Sequence, residues 1–259
     1  MKPPLETTKV REVLRRGGEC LLCDLEQQEE QRLLRYFLGN SVMQPEIRKE
    51  VNRTGFCAPH FQALYTAGNR LGLALITHTH LQETRRRIGE QEKRMGIAGS
   101  EHGDGRRQRS GVRAKPASRK SGGGKSAGLL RLLNEGSDSC LICERLEQSV
   151  NGYAFATAYL WQKDPEFRRS LLASNGFCLP HLAVVHEQAE RVLSKAELRG
   201  WYQEVSDLQQ RVFESLDTEL KSFLARYDYR NDGEQPESEK TVLPRAIRKL
   251  SGRRRVPGS

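Results

Sequence analysis

The apolar positions along this chain fall at helical spacing, and they do so in two successive sets. From Asp24 to Leu38 there is neither Gly nor Pro, and Leu25, Leu33, Leu34 and Phe37 share one helical face. Gly39-Asn40 ends that helix. Gln44-Pro45-Glu46 begins a second, with proline in the first turn and an acid at the positive end of the helix dipole. Asp164-Pro165-Glu166 repeats the arrangement with a stronger cap residue. Gly55 and Gly176 stop these helices, and Pro59 and Pro180 fit the first turn of a third.

The third helices are longer. One runs from His60 to Met95, with a break at Gly68 to Gly72, and its counterpart runs from His181 to Ser194. Beyond it, Trp201, Val205, Leu208, Val212, Leu216, Leu220, Phe223 and Tyr227 recur every three or four residues, predicting an amphipathic helix of about seven turns. No segment alternates apolar and polar residues between turn signals, so the fold class is all-α.

The two sets are copies. A shift of 120 residues lays Cys20-Leu21 on Cys140-Leu141, Cys23 on Cys143, Pro45-Glu46 on Pro165-Glu166 and Arg48 on Arg168. After one extra residue, Gly55-Phe56-Cys57 matches Gly176-Phe177-Cys178, and Pro59-His60 matches Pro180-His181. Two copies are too few for a solenoid, and the pattern implies an internal duplication. The expected organisation is a first repeat over 1–95, a basic linker over 96–126, a second repeat over 127–230 and a tail over 231–259. In the tail, Leu243, Ile247 and Leu250 predict a short docking helix over 243–250. The two repeats are free to pack as one domain.

Charge sharpens the division. The chain of 259 residues carries a net +10. Gly96 to Ser126 contributes +6 and Arg230 to Ser259 contributes +4, so the rest is neutral. Gly96 to Ser126 is rich in Gly, Ser, Arg and Lys and has too little apolar surface to order itself. Its Arg106, Arg107, Arg109, Arg113, Lys115, Arg119 and Lys120 would attract any polyanion, non-specific nucleic acid included. Aromatic residues for base stacking are absent from it. There is no apolar signal-peptide core at the N-terminus, and the run Leu71 to Ile76 is too short to cross a bilayer, so no membrane partner and a cytoplasmic location are expected.

The candidate chemistry is a repeated metal shell. Cys20, Cys23, Cys57 and His60 recur as Cys140, Cys143, Cys178 and His181 and use all six cysteines. Each set is three thiolates and one imidazole, a complete tetrahedral shell for zinc, and two ions are expected. A Cys-x-x-Cys turn brings two sulfurs onto one ion, and Cys-x-x-His in a helical turn puts both donors on one face. Soft sulfur favours zinc over magnesium or calcium, and a reducing compartment favours metal over disulfides. Four protein donors leave no position for water or substrate, so a structural role without catalysis is the leading reading. Zinc is worth on the order of 10 kcal/mol to a small fold, and loss of Cys57 or Cys178 is expected to unfold its own half. Exchange of ligand pairs between the copies remains open, but the shorter loops favour shells made within each copy.

Other residues carry weaker signals. His78 and His80 are two apart and cannot chelate together on a helix; one partly buried and one solvated side chain is expected. His186 reads as a surface residue and His102 falls in the linker. Trp161, Trp201, Tyr227 and Tyr229 are candidates for a binding face, but their helical spacing favours core packing. Pro45-Glu46 with Arg48, echoed by Pro165-Glu166 with Arg168, are candidates for a recurring surface or for an ion pair back to the metal turn, although helix initiation alone explains the Pro and Glu. No phosphate-cradling glycine loop and no Ser/His/Asp order is present.

Tyr36-Phe37-Leu38-Gly39, Gly55-Phe56-Cys57-Ala58-Pro59-His60 and Arg70-Leu71-Gly72-Leu73-Ala74-Leu75 resemble a bacterial family catalogued as domain of unknown function 6062. Leu160 to Phe167, Gly176 to His181 and Tyr227 to Asn231 are similar to it as well. The resemblance implies a cytoplasmic, helical, two-site protein and carries no known activity. Three functions therefore stand side by side: a zinc-stabilised interaction or scaffold module, a nucleic-acid-associated protein acting through its basic segments, and a zinc-thiolate redox sensor.

Overall fold

The structure is a computed structural model that describes residues 4–96, 125–226 and 237–253. The described residues form eleven α-helices and no strand. In order these are α1 (Thr7–Arg16), α2 (Leu21–Leu38), α3 (Pro45–Thr54), α4 (Ala58–Thr66), α5 (Arg70–Met95), α6 (Lys125–Asp138), α7 (Leu141–Lys163), α8 (Pro165–Leu172), α9 (Leu179–Val192), α10 (Lys195–Arg226) and α11 (Glu237–Ser251). A short 3-10 turn, Asn40–Met43, follows α2.

The helix starts follow from local chemistry. Asp164 caps α8 by accepting from the Glu166 and Phe167 backbone N–H groups, whereas Gln44 makes no such side-chain bond at α3. The break in the first long helix is real: α4 ends at Thr66, and Asn69 starts α5 by accepting from Gly72 N at 2.9 Å. The Asn69 amide also donates to Leu38 O.

The helices gather into two compact units that do not follow the sequence copies. Among the described residues, one comprises 4–33, 144–226 and 237–253, the other 34–96 and 125–143. In the first, Val10, Leu22 and Leu25 from the N-terminal helices share a core with Val150, Phe167, Leu171, Phe177, Val185 and Trp201. Trp161 and Trp201 meet edge to face at 5.4 Å, so both are core residues. Arg168 lies over the Trp161 ring and pairs with Glu204, so it does not reach back to a metal turn. In the second unit, Phe37, Val51, Phe56, Leu64 and Ile76 are buried, and Tyr36, Phe37, Phe56 and Phe61 form a continuous edge-to-face chain.

The tail helix inverts its expected face. α11 buries Val242, Ala246 and Lys249 and exposes Leu243, Ile247 and Leu250. A buried lysine carries no apolar signature, which is why the pattern points to the wrong side. Tyr227, Tyr229, His102 and the basic residues Arg106, Arg107, Arg109, Arg113, Lys115, Arg119 and Lys120 lie outside the described residues.

Candidate metal centres

Each donor pair stands at a helix start. Cys20 immediately precedes α2 and Cys23 sits in its first turn; Cys140 and Cys143 hold the same places at α7. Cys57 and Cys178 are the N-cap residues of α4 and α9, in nearly the same extended geometry (φ −69, ψ 162 and φ −75, ψ 158). Their histidines, His60 and His181, follow in the first turn. Positive φ at Gly55 (73°) and Gly176 (67°) closes α3 and turns the chain after α8 into these caps.

These four helix starts meet in two clusters, and each cluster joins a pair from the N-terminal half of the sequence to a pair from the C-terminal half. Cys20, Cys23, Cys178 and His181 form one; Cys57, His60, Cys140 and Cys143 form the other. All eight predicted donors are thus brought together, but the ligand pairs are exchanged. The preference for shells within each copy fails for a quantitative reason. Cys23 and Cys178 are 155 residues apart, against 34 for Cys23 and Cys57. Loop-closure entropy grows only as the logarithm of length, so the longer closure costs about 1.3 kcal/mol more. Burying Leu22 and Leu25, each worth roughly 1.5–3 kcal/mol, outweighs it.

The spacing fits zinc. Tetrahedral zinc, with roughly 2.3 Å to sulfur and 2.0 Å to nitrogen, places sulfurs about 3.8 Å apart and sulfur from nitrogen about 3.5 Å. In the first cluster Cys178 Sγ lies 3.7 Å from both Cys20 Sγ and Cys23 Sγ. His181 Nδ1 lies 3.6, 3.4 and 3.3 Å from the Cys20, Cys23 and Cys178 sulfurs. In the second, Cys57 Sγ and Cys143 Sγ are 3.8 Å apart. His60 Nδ1 lies 3.2 Å from Cys57 Sγ and Cys140 Sγ and 3.4 Å from Cys143 Sγ. None of these sulfur pairs is at disulfide distance, and none of the six cysteines forms a disulfide.

The electrostatics couple the donors closely, and Cys23 is pushed up by Cys178, Cys20 and its burial. Burial pushes the Cys140 thiol up, but hydrogen bonds from His60 and from the Cys57 and Cys143 backbone outweigh it and hold it at about 6. Cys20 is likewise brought well below an ordinary thiol by Cys178, Cys23 and His181 despite its burial. Burial would lower the His181 imidazole, yet the Cys178 and Cys20 sulfurs hold it at about 10. Three sulfurs this close cannot all carry charge without a positive centre among them. Two helix N-termini face each cluster and favour thiolate.

Several supporting residues escape the sequence. Gln209 on α10 clasps the Phe177 backbone, accepting from its N–H at 3.2 Å and donating to its carbonyl at 3.0 Å, directly before Cys178. Glu26 Oε2 stands 3.8 Å from His181 Nε2, on the side of the ring away from the sulfurs. Lys249, 1% exposed, donates to the Glu19 and Asn175 carbonyls beside the first cluster. In the second unit His80 lies against Gly55, with its Nδ1 3.1 Å from Asn52 O, while His78 is solvated. His186 is no free surface residue: its Nδ1 accepts from the Trp201 indole at 3.0 Å, and burial lowers its basicity.

Among the described residues no helix is long and apolar enough to cross a membrane. A family model described as "Family of unknown function (DUF6062)" matches residues 1–256. An "Uncharacterized 23.9 kDa protein in xynA 3'region" of Caldicellulosiruptor sp. (strain Rt8B.4) is 24% identical over 213 residues, covering 82% of this chain and 84% of that protein. No solved structure matches the chain.

Proposed function

The chain belongs to that family of unknown function, and we propose that it is a zinc protein whose two ions act structurally and hold a helical framework for a protein partner. The observation that carries this reading is the spacing of the two donor sets. Sulfur–sulfur distances of 3.7–3.8 Å and sulfur–nitrogen distances of 3.2–3.6 Å are those of an Nδ1-ligated Cys3His tetrahedron. Four protein donors fill such a shell, which supports a non-catalytic role. Free cysteines in close pairs suit a reducing cytoplasm.

The helix order supports an internal duplication. α1 to α5 and α6 to α10 run in the same sequence, with Cys-x-x-Cys at the second helix of each set and Cys-x-x-His at the fourth. Exchange of the donor pairs makes each ion a tie between the two copies. On this reading the metal fixes how the copies interlock, and the helical surfaces carry the interaction.

Elemental analysis of the purified chain tests the reading. About two zinc per chain, falling to about one in Cys178→Ser, is the expected result. X-ray absorption should give three sulfur and one nitrogen neighbours. Iron in place of zinc, or fewer than one ion per chain, would overturn it.

A further inference from the structure

The two clusters have the same donors and different surroundings. In the first, Cys20, Cys23, Cys178 and His181 are all buried. In the second, Cys140 and His60 are buried but Cys57 and Cys143 are partly open to solvent.

What covers the first cluster is α11. Lys249 Nζ donates to two backbone carbonyls, one on each ligand segment: Glu19, which directly precedes Cys20, and Asn175, three residues before Cys178. Arg245 on the same helix donates to Glu19 Oε1 at 2.9 Å and to Glu219 Oε2 at 2.7 Å. At the end of the helix Gly252 takes φ +76, and a Cβ there would stand 3.6 Å from Cys178 Sγ and 3.3 Å from Pro180 Cγ. The chain therefore passes close to the Cys178 sulfur, and the positive φ there favours glycine.

Charge works in the same direction. Three thiolates around a divalent ion leave a shell of about −1. Lys249 is the one buried lysine or arginine among the residues whose burial is described, and it sits beside that shell. The ammonium stabilises the anionic shell and, reciprocally, the loaded shell holds α11 in place. Among the residues whose burial is described, none supplies the second cluster with a buried cation of this kind.

Resting on the zinc reading above, we propose that the clusters divide their work. The Cys57–His60–Cys140–Cys143 cluster is the site through which thiophilic divalent ions such as zinc and cadmium exchange with solution, and the other is a staple sealed by α11 through Lys249. Exchange in a filled Cys3His shell needs an incoming chelator or ion to reach a sulfur as its bond opens. Cys57 and Cys143 are partly open to such an approach, whereas Cys20, Cys23 and Cys178 are buried.

The test uses the full zinc-loaded chain and an excess of a chromophoric chelator, with maleimide pulses and peptide mass spectrometry at intervals. Two release phases of about one zinc each are expected. Cys57, Cys140 and Cys143 should be labelled in the fast phase, and Cys20, Cys23 and Cys178 in one at least on the order of tenfold slower. Lys249→Met should speed the slow phase by on the order of 10- to 100-fold, the range for loss of a partner just outside a metal shell, and leave the fast phase unchanged. Arg245→Gln, which leaves the buried lysine in place, should speed it less. It carries the test if Lys249→Met does not fold: an unchanged slow phase in the variant that folds overturns the proposal. So does a single common phase, or labelling in the opposite order. Two zinc per chain leaving together would sink this proposal alone, whereas a chain without zinc would sink the reading beneath it.

Discussion

Cys23 and Cys178 are 155 residues apart in the chain, and their sulfurs are 3.7 Å apart. The pair comes from opposite halves of the sequence, so losing one ligand should be felt in the other half. In Cys178→Ser, amide protection should fall at Leu22 and Leu25, which share the core of that cluster, together with Phe177. Phe37 and Val51, packed in the other unit, should keep theirs. Hydrogen exchange read by mass spectrometry distinguishes this from shells made within each copy, in which Leu22 and Leu25 would be spared.

Gln209 offers a second probe, away from the metal donors. Its side-chain amide makes both hydrogen bonds to the Phe177 backbone and is 5% exposed. Gln209→Ala leaves a buried N–H and a buried C=O without partners, each costing about 1–3 kcal/mol. The expected result is a drop of about 2–4 kcal/mol in denaturant unfolding, with zinc content kept at native pH. A loss under 0.5 kcal/mol would show that water replaces the clasp.

How much of this was legible in the sequence depends on the distance over which each feature is decided. The eight donors are legible because Cys-x-x-Cys and Cys-x-x-His are set within one helical turn, and the caps at Asp164 and Asn69 are equally local. The exchange of donor pairs is not, because about 1.3 kcal/mol of loop entropy is small beside the burial of Val10, Leu22 and Leu25 against α7 to α10. The docked face of α11 was hidden for another reason. Lys249 is buried by its carbonyl partners and by the charge of the cluster, neither of which leaves an apolar mark on the sequence. His186 was hidden likewise, since its role is set by an indole 15 residues away.

Acid should weaken the first unit at a group that is not one of the candidate metal donors. Glu29, 4% exposed, would be raised by burial, but Arg32 and Lys9 outweigh it and hold it at about 2. Its folded value is therefore below its unfolded value of about 4.3. The stabilisation is fully present above pH 4.3 and is lost as pH falls through about 2, a span worth roughly 3 kcal/mol. Glu29→Gln removes this dependence. The stability gap between the two proteins should be flat from pH 7 to about 4.5 and close below that. A gap that instead changes between pH 5 and 7 would mean that metal release, not Glu29, sets it.

Cutting the chain between the copies should not separate them. A protease site placed within residues 97–124 would yield two pieces, each holding half of both donor sets. Cys20 and Cys23 on one piece meet Cys178 and His181 on the other, and Cys57 and His60 meet Cys140 and Cys143. Direct contacts join the pieces as well. Arg11 pairs with Asp164 at 2.7 Å, Lys9 donates to the Tyr153 hydroxyl at 2.7 Å, and Leu141 N donates to Gly55 O at 3.1 Å. The nicked protein should elute as one species on gel filtration with both zinc ions. With the covalent link gone, its unfolding midpoint should become concentration-dependent. Adding chelator should lower that midpoint far more than it does in the intact chain, because each ion now ties two molecules rather than two parts of one. Pieces that elute separately in the presence of zinc would mean that the exchanged shells do not hold the copies together.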